Sequence, residues 1–182
     1  MRRVVAGLMI SLDGVVESPE KWARPYFNGE MQDVIDAGVA QADAILLGRR
    51  TYLEFAELWP NQGREVPLAD FMNETPKYVV SSTLDSLGWG PSSLVRGDLA
   101  EEVGRLKRRA GKNTQISGSP RLVRSLLRDG LLDELSLMLV PIVVGSGMRL
   151  FDDMTNQVAL ELVESRALST GMLSVTYQPA SA

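Results

Sequence analysis

Asp43-Ala44-Ile45-Leu46-Leu47-Gly48-Arg49-Arg50-Thr51-Tyr52-Leu53-Glu54-Phe55 joins an apolar run to an amphipathic one through a glycine and two arginines. Ala44 to Leu47 contains no polar residue and includes β-branched Ile45, as expected of a central strand buried on both faces. Gly48 permits a tight turn because it has no Cβ. Thr51 is placed to cap a helix on which Tyr52, Phe55 and Leu58 share a face. Arg49 and Arg50 stand between strand and helix. Backbone N–H groups and the positive end of the helix dipole attract an anion there, and guanidinium groups add forked, permanently charged donors. Positive side chains at a helix N-terminus oppose the dipole, so something negative is expected to offset them. The stretch predicts an α/β fold with a phosphate pocket at the sheet edge.

Composition narrows the function around that pocket. The chain has 182 residues, 45% of them hydrophobic and 23% charged, which suits one globular domain over residues 1–182. A net charge of −4 argues against broad nucleic-acid or anionic-membrane binding. There is no histidine and no cysteine. Disulfides, cysteine nucleophiles, histidine bases, zinc sites and the zinc-dependent deaminase reaction are therefore excluded, and no spacing suggests a carboxylate metal site. The apolar run after Arg2-Arg3 stops at Ser11, too short to span a membrane. It reads as a first strand, Val4 to Ile10, and a cytoplasmic protein is expected.

Outward from the opening stretch, the same pattern recurs. Ser11-Leu12-Asp13-Gly14 leaves the first strand by a turn. Glu17 to Phe27 reads as a surface loop. Asn28 is placed to cap a helix with Met31, Val34, Ile35 and Val39 on one face, ending near Gln41. Asn61 to Thr75 shows no period. Lys77 to Ser82 is a strand ending in hydroxyl residues, Gly88 to Pro91 a turn, and Ser93 to Val95 a brief strand. Asp98 opens a helix carrying Leu99, Val103 and Leu106. Thr114 to Ser117 is a strand, after which Gly118-Ser119-Pro120 repeats the glycine turn with Ser as N-cap and Pro at the first helical position. Leu122, Val123, Leu126 and Leu127 stripe that helix and Gly130 ends it. Glu134 to Val144 is strand-like, interrupted by Pro141 and closed by Gly145-Ser146-Gly147. Val158, Leu160, Leu162 and then Leu173, Val175, Tyr177 alternate about a turn at Ser169-Thr170-Gly171, predicting an antiparallel hairpin. The whole predicts a mostly parallel sheet flanked by helices, extended by antiparallel C-terminal strands.

Two strand–glycine–helix turns on one sheet suit a ligand with separated phosphates, such as a dinucleotide. Neither Gly118-Ser119-Pro120-Arg121-Leu122-Val123 nor Gly145-Ser146-Gly147-Met148-Arg149-Leu150 is a Rossmann fingerprint, since each lacks required glycines. Ser81-Ser82-Thr83, at a strand's C-terminal end, is a candidate adenosine contact. Among acids, Asp13, Glu30, Asp33 and Asp36 are available, and Asp152-Asp153 resembles a loop cap.

In order along the chain, Ser11-Leu12-Asp13-Gly14, Leu47-Gly48-Arg49-Arg50-Thr51-Tyr52, Val79-Val80-Ser81-Ser82, Ile116-Ser117-Gly118-Ser119 and Val140-Pro141-Ile142-Val143-Val144-Gly145-Ser146-Gly147 with Leu150-Phe151 resemble the dihydrofolate reductase superfamily. The resemblance is greatest to the C-terminal reductase domain of the bifunctional riboflavin-pathway deaminase-reductase. It implies a dihydrofolate-reductase-like fold and an NADPH-dependent oxidoreductase. By resemblance, Arg49 and Arg50 approach the 2′-phosphate and neighbouring phosphates, with Thr51 at the pyrophosphate and Gly48 among the cofactor-binding residues. Ser81 and Ser82 line the adenosine, and Gly118 and Ser119 bracket the pyrophosphate and nicotinamide side. Leu12, Trp22, Gly145 and Gly147 fall to a small-molecule acceptor, by analogy the ribosylaminopyrimidine of riboflavin synthesis. Dihydrofolate reductases place a proton-donating carboxylate after a Trp-x-x-Pro element. Trp22-Ala23-Arg24-Pro25 reproduces that element, but counting forward reaches Phe27 and counting back from Gly48 reaches Gln32, beside Asp33. Asp33, Asp13 and water are the candidate proton sources. Where those enzymes join two glycines by a cis peptide, this chain has Gly118-Ser119, and either isomer is open. Dihydrofolate reduction and non-catalytic NADP(H) binding are the alternatives, and a homodimer through the C-terminal strands is implied.

Overall fold

A computed structural model describes residues 1–180. Eight strands form one sheet: β1 (Val4–Ser11), β2 (Ala42–Gly48), β3 (Lys77–Val80), β4 (Ser92–Val95), β5 (Asn113–Ser117), β6 (Glu134–Val140), β7 (Leu160–Ala167) and β8 (Leu173–Pro179). Their order is β4-β3-β2-β5-β1-β6-β8-β7. The first six are parallel, and β8 and β7 add on antiparallel to β6 and to each other. The fold is α/β with a mostly parallel sheet and an antiparallel C-terminal hairpin, as the alternation of elements predicts. Leu168 N–H donates to Met172 O and Gly171 N–H to Leu168 O, closing the hairpin at the expected turn.

Helices α1 (Pro19–Trp22), α2 (Gly29–Ala40), α3 (Arg49–Leu58), α4 (Ala69–Glu74), α5 (Leu99–Arg108) and α6 (Pro120–Arg128) cover the sheet. Strand alternation divides its side chains between two faces. On one, Val4, Ala6, Leu8, Leu46, Ile116 and Leu135 make a continuous core with α5 and α6. On the other, two separate clusters form. Met31 of α2 packs with Met138 and Val140, and Tyr52 of α3 with Ile45, Leu47, Val79 and Met72. Among the described residues no helix is long and apolar enough to cross a membrane.

Two expectations need correction. Glu17 to Phe27 is not a plain loop: it contains α1 and a 3-10 turn at Arg24–Tyr26, with Ala23 wholly buried and Trp22 packed against the α2 cluster. Asn61 to Thr75 contains α4, whose Ala69 and Met72 are buried. One buried pair three residues apart is too short a pattern to register as a period.

Candidate active site

All six parallel strands end at the same sheet edge, so the turns after β1, β2, β3 and β5 lie together there. The longer helices α2, α3, α5 and α6 each follow a parallel strand, and they differ in how their first N–H groups are satisfied. Asn28 caps α2, its Oδ1 accepting from Met31 N–H at 3.0 Å. Asp98 caps α5, accepting from Glu101 N–H at 2.9 Å. By contrast α3 and α6 have no side-chain cap and no acidic residue in the first turn. These two follow β2 and β5, which are neighbours in the sheet.

The two turns are cross-tied. Ser119 Oγ accepts from Gly48 N–H at 3.0 Å, and Thr51 Oγ1 accepts from Ser119 N–H at 3.0 Å. The expectation that Thr51 caps α3 is thereby corrected. The helix starts at Arg49 with Gly48 as N-cap, and the Thr51 hydroxyl reaches across to the other turn. Ser119 does hold the N-cap position of α6, with Pro120 following, but in a left-handed conformation at φ 52° that turns its hydroxyl toward Gly48. Gly118 has φ 66°, and a Cβ on it would lie 3.1 Å from Thr51 Cγ2. The Gly118–Ser119 bond is trans; Gly90–Pro91 is cis.

Arg49 and Arg50 part company. Arg50 Nε meets Glu54 at 2.9 Å and its Nη2 meets Glu17 at 3.0 Å. Arg49 is exposed, with no ion pair or side-chain hydrogen bond among the described residues. Glu17 also accepts from Met148 N–H at 3.1 Å, and that bond, with the Arg50 guanidinium, holds its carboxyl below the usual range. At the end of β3, Ser81 Oγ accepts from Thr83 N–H and Leu84 N–H at 3.2 and 3.1 Å, while Ser82 is exposed.

Beyond β1 the polar groups serve one another. Asp13 accepts from the Ser11 hydroxyl at 2.7 Å, from Val144 N–H at 3.0 Å and from Gly145 N–H at 2.8 Å. The Ser11 hydroxyl above all, then Val144 N–H, holds this carboxyl well below the usual carboxylate range, so it carries no proton to give at neutral pH. It fastens the segment after β6 to the end of β1. Gly145 and Gly147 have φ 86° and 119°, and Gly147 packs so closely on Val15 that a Cβ would come within 3.0 Å. Leu12 is 58% exposed at the rim. Trp22 Nε1 donates to Glu17 O at 2.9 Å. Asp33 lies exposed on α2, with no side-chain hydrogen bond or ion pair among the described residues.

Residues 2–174 match the family described as RibD C-terminal domain. The chain belongs to that family. Among curated relatives of this RibD C-terminal domain protein, YyaP of Bacillus subtilis (strain 168), itself uncharacterised, is 29% identical over 97% of this chain and 94% of its own length. A putative riboflavin biosynthesis protein from Shewanella sp. PV-4 superposes with a TM-score of 0.81 at 20% identity, over 98% of this chain and 99% of that one. Dihydrofolate reductase from Enterococcus faecalis, solved with NADP(H), superposes with a TM-score of 0.65 at 16% identity, covering 98% and 97%. The fold of the RibD C-terminal domain is thus dihydrofolate-reductase-like.

One part of the site escapes motif reading. On the face between the α2 and α3 clusters, Gly7 and Met9 of β1 and Gln115 and Ser117 of β5 are only half-buried, although both strands are central. Gly7 pairs with Ser117 and Val5 with Gln115. The alternation of Thr114 and Ile116 with Gln115 and Ser117 carried this signal. A central strand with a polar face is out of place unless that face lines a cleft.

Proposed function

We propose that this protein is an NADPH-dependent reductase that passes hydride to a small flat heterocycle, by analogy the 5-amino-6-(5-phosphoribosylamino)uracil of riboflavin biosynthesis. The observation that carries the proposal is the pair of uncapped helix N-termini on cross-tied turns, with an unpaired guanidinium beside them. These residues fit a dinucleotide: the first turns of α3 and α6 have no capping side chain and no carboxylate to compete with an anion, and Gly118, free of a Cβ, lets Thr51 pack against the second turn and hold it in place. Arg49 would hold the 2′-phosphate and Gly48, Thr51, Gly118 and Ser119 the pyrophosphate, with Ser81 and Ser82 along the adenosine. Arg50 would support Arg49 from its place between Glu17 and Glu54. The cofactor supplies the hydride from its nicotinamide ring.

The protein's own part is placement and exclusion of water. The acceptor would lie over β1 and β5 between α2 and α3, with Leu12, Trp22 and the Gly145–Gly147 turn at its rim. Asp13 keeps that rim in place, so the proton comes from Asp33 or from water. Leu162 and Val163 of the edge strand β7 are 55% and 54% exposed and Leu173 of the neighbouring β8 is 41% exposed, and we place a second copy of the chain against this hairpin.

Thermal-shift measurements with NADPH, NADP⁺, NADH and no ligand test the cofactor. Ligand at 100 times its Kd stabilises by ~2.7 kcal/mol. A chain of this size should then gain roughly 5–10 °C with the two 2′-phosphorylated forms and much less with NADH. No shift with any of them removes the reductase reading. A shift without oxidation of NADPH by pyrimidine or pterin acceptors would favour a non-catalytic binder.

A further inference from the structure

We propose that Gln115 reads the acceptor, its carboxamide selecting a ring with adjacent C=O and N–H groups; the proposal rests on the reductase reading of the cleft. β5 is paired on both sides, and in the register Gln115 lies between Ile45 of β2 and Val5 of β1, which are 0% and 6% exposed. Gln115 itself is half-buried, so its carboxamide faces the open cleft and is not sealed among those neighbours. Within the protein it has one weak bond, Nε2 to the adjacent Ile116 carbonyl at 3.3 Å, and Oε1 has no partner among the described residues.

Gly7 explains where the amide lies. A Cβ built on Gly7 would sit 3.0 Å from Gln115 Nε2, so the amide occupies the space that a side chain at position 7 would fill. Glycine within a strand is unfavourable and commonly marks a close approach. Here it leaves room for the amide on the cleft floor over Gly7, between Val5 and Met9 of the strand.

From Gln115 the strand runs through Ser117 to Gly118 and Ser119, where the nicotinamide side of the cofactor is assigned. The amide lies over Gly7, whose register partner is Ser117, so Ser119 is two residues further on, ~7 Å, about the width of one heterocyclic ring. A ring anchored on Gln115 therefore reaches the hydride donor without further length. A carboxamide offers an acceptor and a donor side by side, the complement of a cyclic amide edge. A carboxylate would instead demand two donors from the ring. The residue type thus favours lactam edges over amidine edges.

The test measures binding of 6-aminouracil and of its 1,3-dimethyl derivative, in which both ring N–H groups are blocked, with and without NADPH. The wild type should prefer the unblocked ring by about tenfold, the worth of one to two neutral hydrogen bonds. Gln115→Leu should bring the ratio close to one while keeping the NADPH-induced thermal shift. Gly7→Ala provides a second variant, since its methyl displaces only the end of a flexible side chain; it should lower the ratio similarly. A wild type that binds the two probes equally, or neither, overturns the proposal, as does an unchanged ratio in both variants. Loss of the NADPH shift in the wild type itself would fell the reductase reading, while the aminouracil ratio without NADPH would still decide the role of Gln115.

Discussion

The two edges of the parallel sheet differ in what they leave unsatisfied. At the N-terminal edge charges are consumed internally. Arg2 meets Asp43 at 2.6 Å, Lys107 meets Asp133 at 2.8 Å and Arg3 meets Glu134 at 3.1 Å. Even Val4 N–H is taken, by Asp133 Oδ2 at 2.7 Å. At the C-terminal edge two helices are left uncapped and one guanidinium unpaired. A folded chain has no internal reason to leave such donors over, because each could be satisfied by a capping side chain worth ~1 kcal/mol. The first edge is built for stability and the second for a ligand.

Lys77 gives the largest test of that division. It is 1% exposed, donates to Asn73 O at 3.2 Å and Thr75 O at 2.9 Å, and lies 4.3 Å from the Trp89 ring centroid. No carboxylate pairs with it among the described residues, and burial pushes its ammonium down from 10.5 to about 8. That displacement corresponds to about 3 kcal/mol. The penalty is complete below pH 8 and is relieved as the pH rises from 8 to 10.5. Denaturant titrations should show wild-type stability rising by about that amount over this window relative to Lys77→Met. NADPH binding at pH 7 should be the same in both. A parallel loss of NADPH binding would mean that the two edges are coupled.

Thr51→Val comes next and acts at the other edge. The change keeps the shape and removes the acceptor of Ser119 N–H, a residue only 5% exposed. An unsatisfied buried donor costs about 1–3 kcal/mol. Thermal unfolding should fall by roughly 2–10 °C, and the NADPH-induced shift should fall with it, because the turn that brackets the cofactor is released. Equal shifts in variant and wild type would show that the cross-tie is only structural.

The division also shows what can be read from residue order. Glycine turns, the helix stripes and the caps Asn28 and Asp98 are local signals, and each stands where its spacing places it. The target of Thr51 was not legible, because its partner Ser119 lies 68 residues away and only the strand order β2-β5 brings them together. The tie between Glu17 and Arg50 likewise joins residues 33 apart. Gln115 and Gly7 were half legible. Strand alternation puts Gln115 on one face with Ser117, but only the register sets that face beside Gly7 and shows that the amide lies over the glycine. Asp13 was visible as an acid after the first strand; its commitment to Val144 and Gly145 is long-range.

Arg49→Ala should weaken NADPH by about tenfold or more, the worth of a charge-assisted hydrogen bond, and leave NADH and the unliganded Tm unchanged. Isothermal titration with the two cofactors measures it. Equal losses would place 2′-phosphate recognition elsewhere.

The smallest expected effect separates Arg50 from its neighbour. Its guanidinium is already shared by Glu54 and Glu17, and their bonds and charges hold it in the ionised state. A phosphate approaching Arg50 must displace one carboxylate or tolerate both, so little of its charge is left for binding. Arg50→Ala should therefore lower NADPH affinity less than about threefold, within what an exposed ion pair contributes. Glu17 keeps its bond from Met148 N–H in that variant, so the loop after β1 stays attached to the segment after β6. If Arg50→Ala instead matches Arg49→Ala, Glu17 must release its partner when the cofactor enters. Glu17→Gln would then raise NADPH affinity by freeing the guanidinium, whereas with Glu17 acting only as a fastening the same change leaves affinity unaltered.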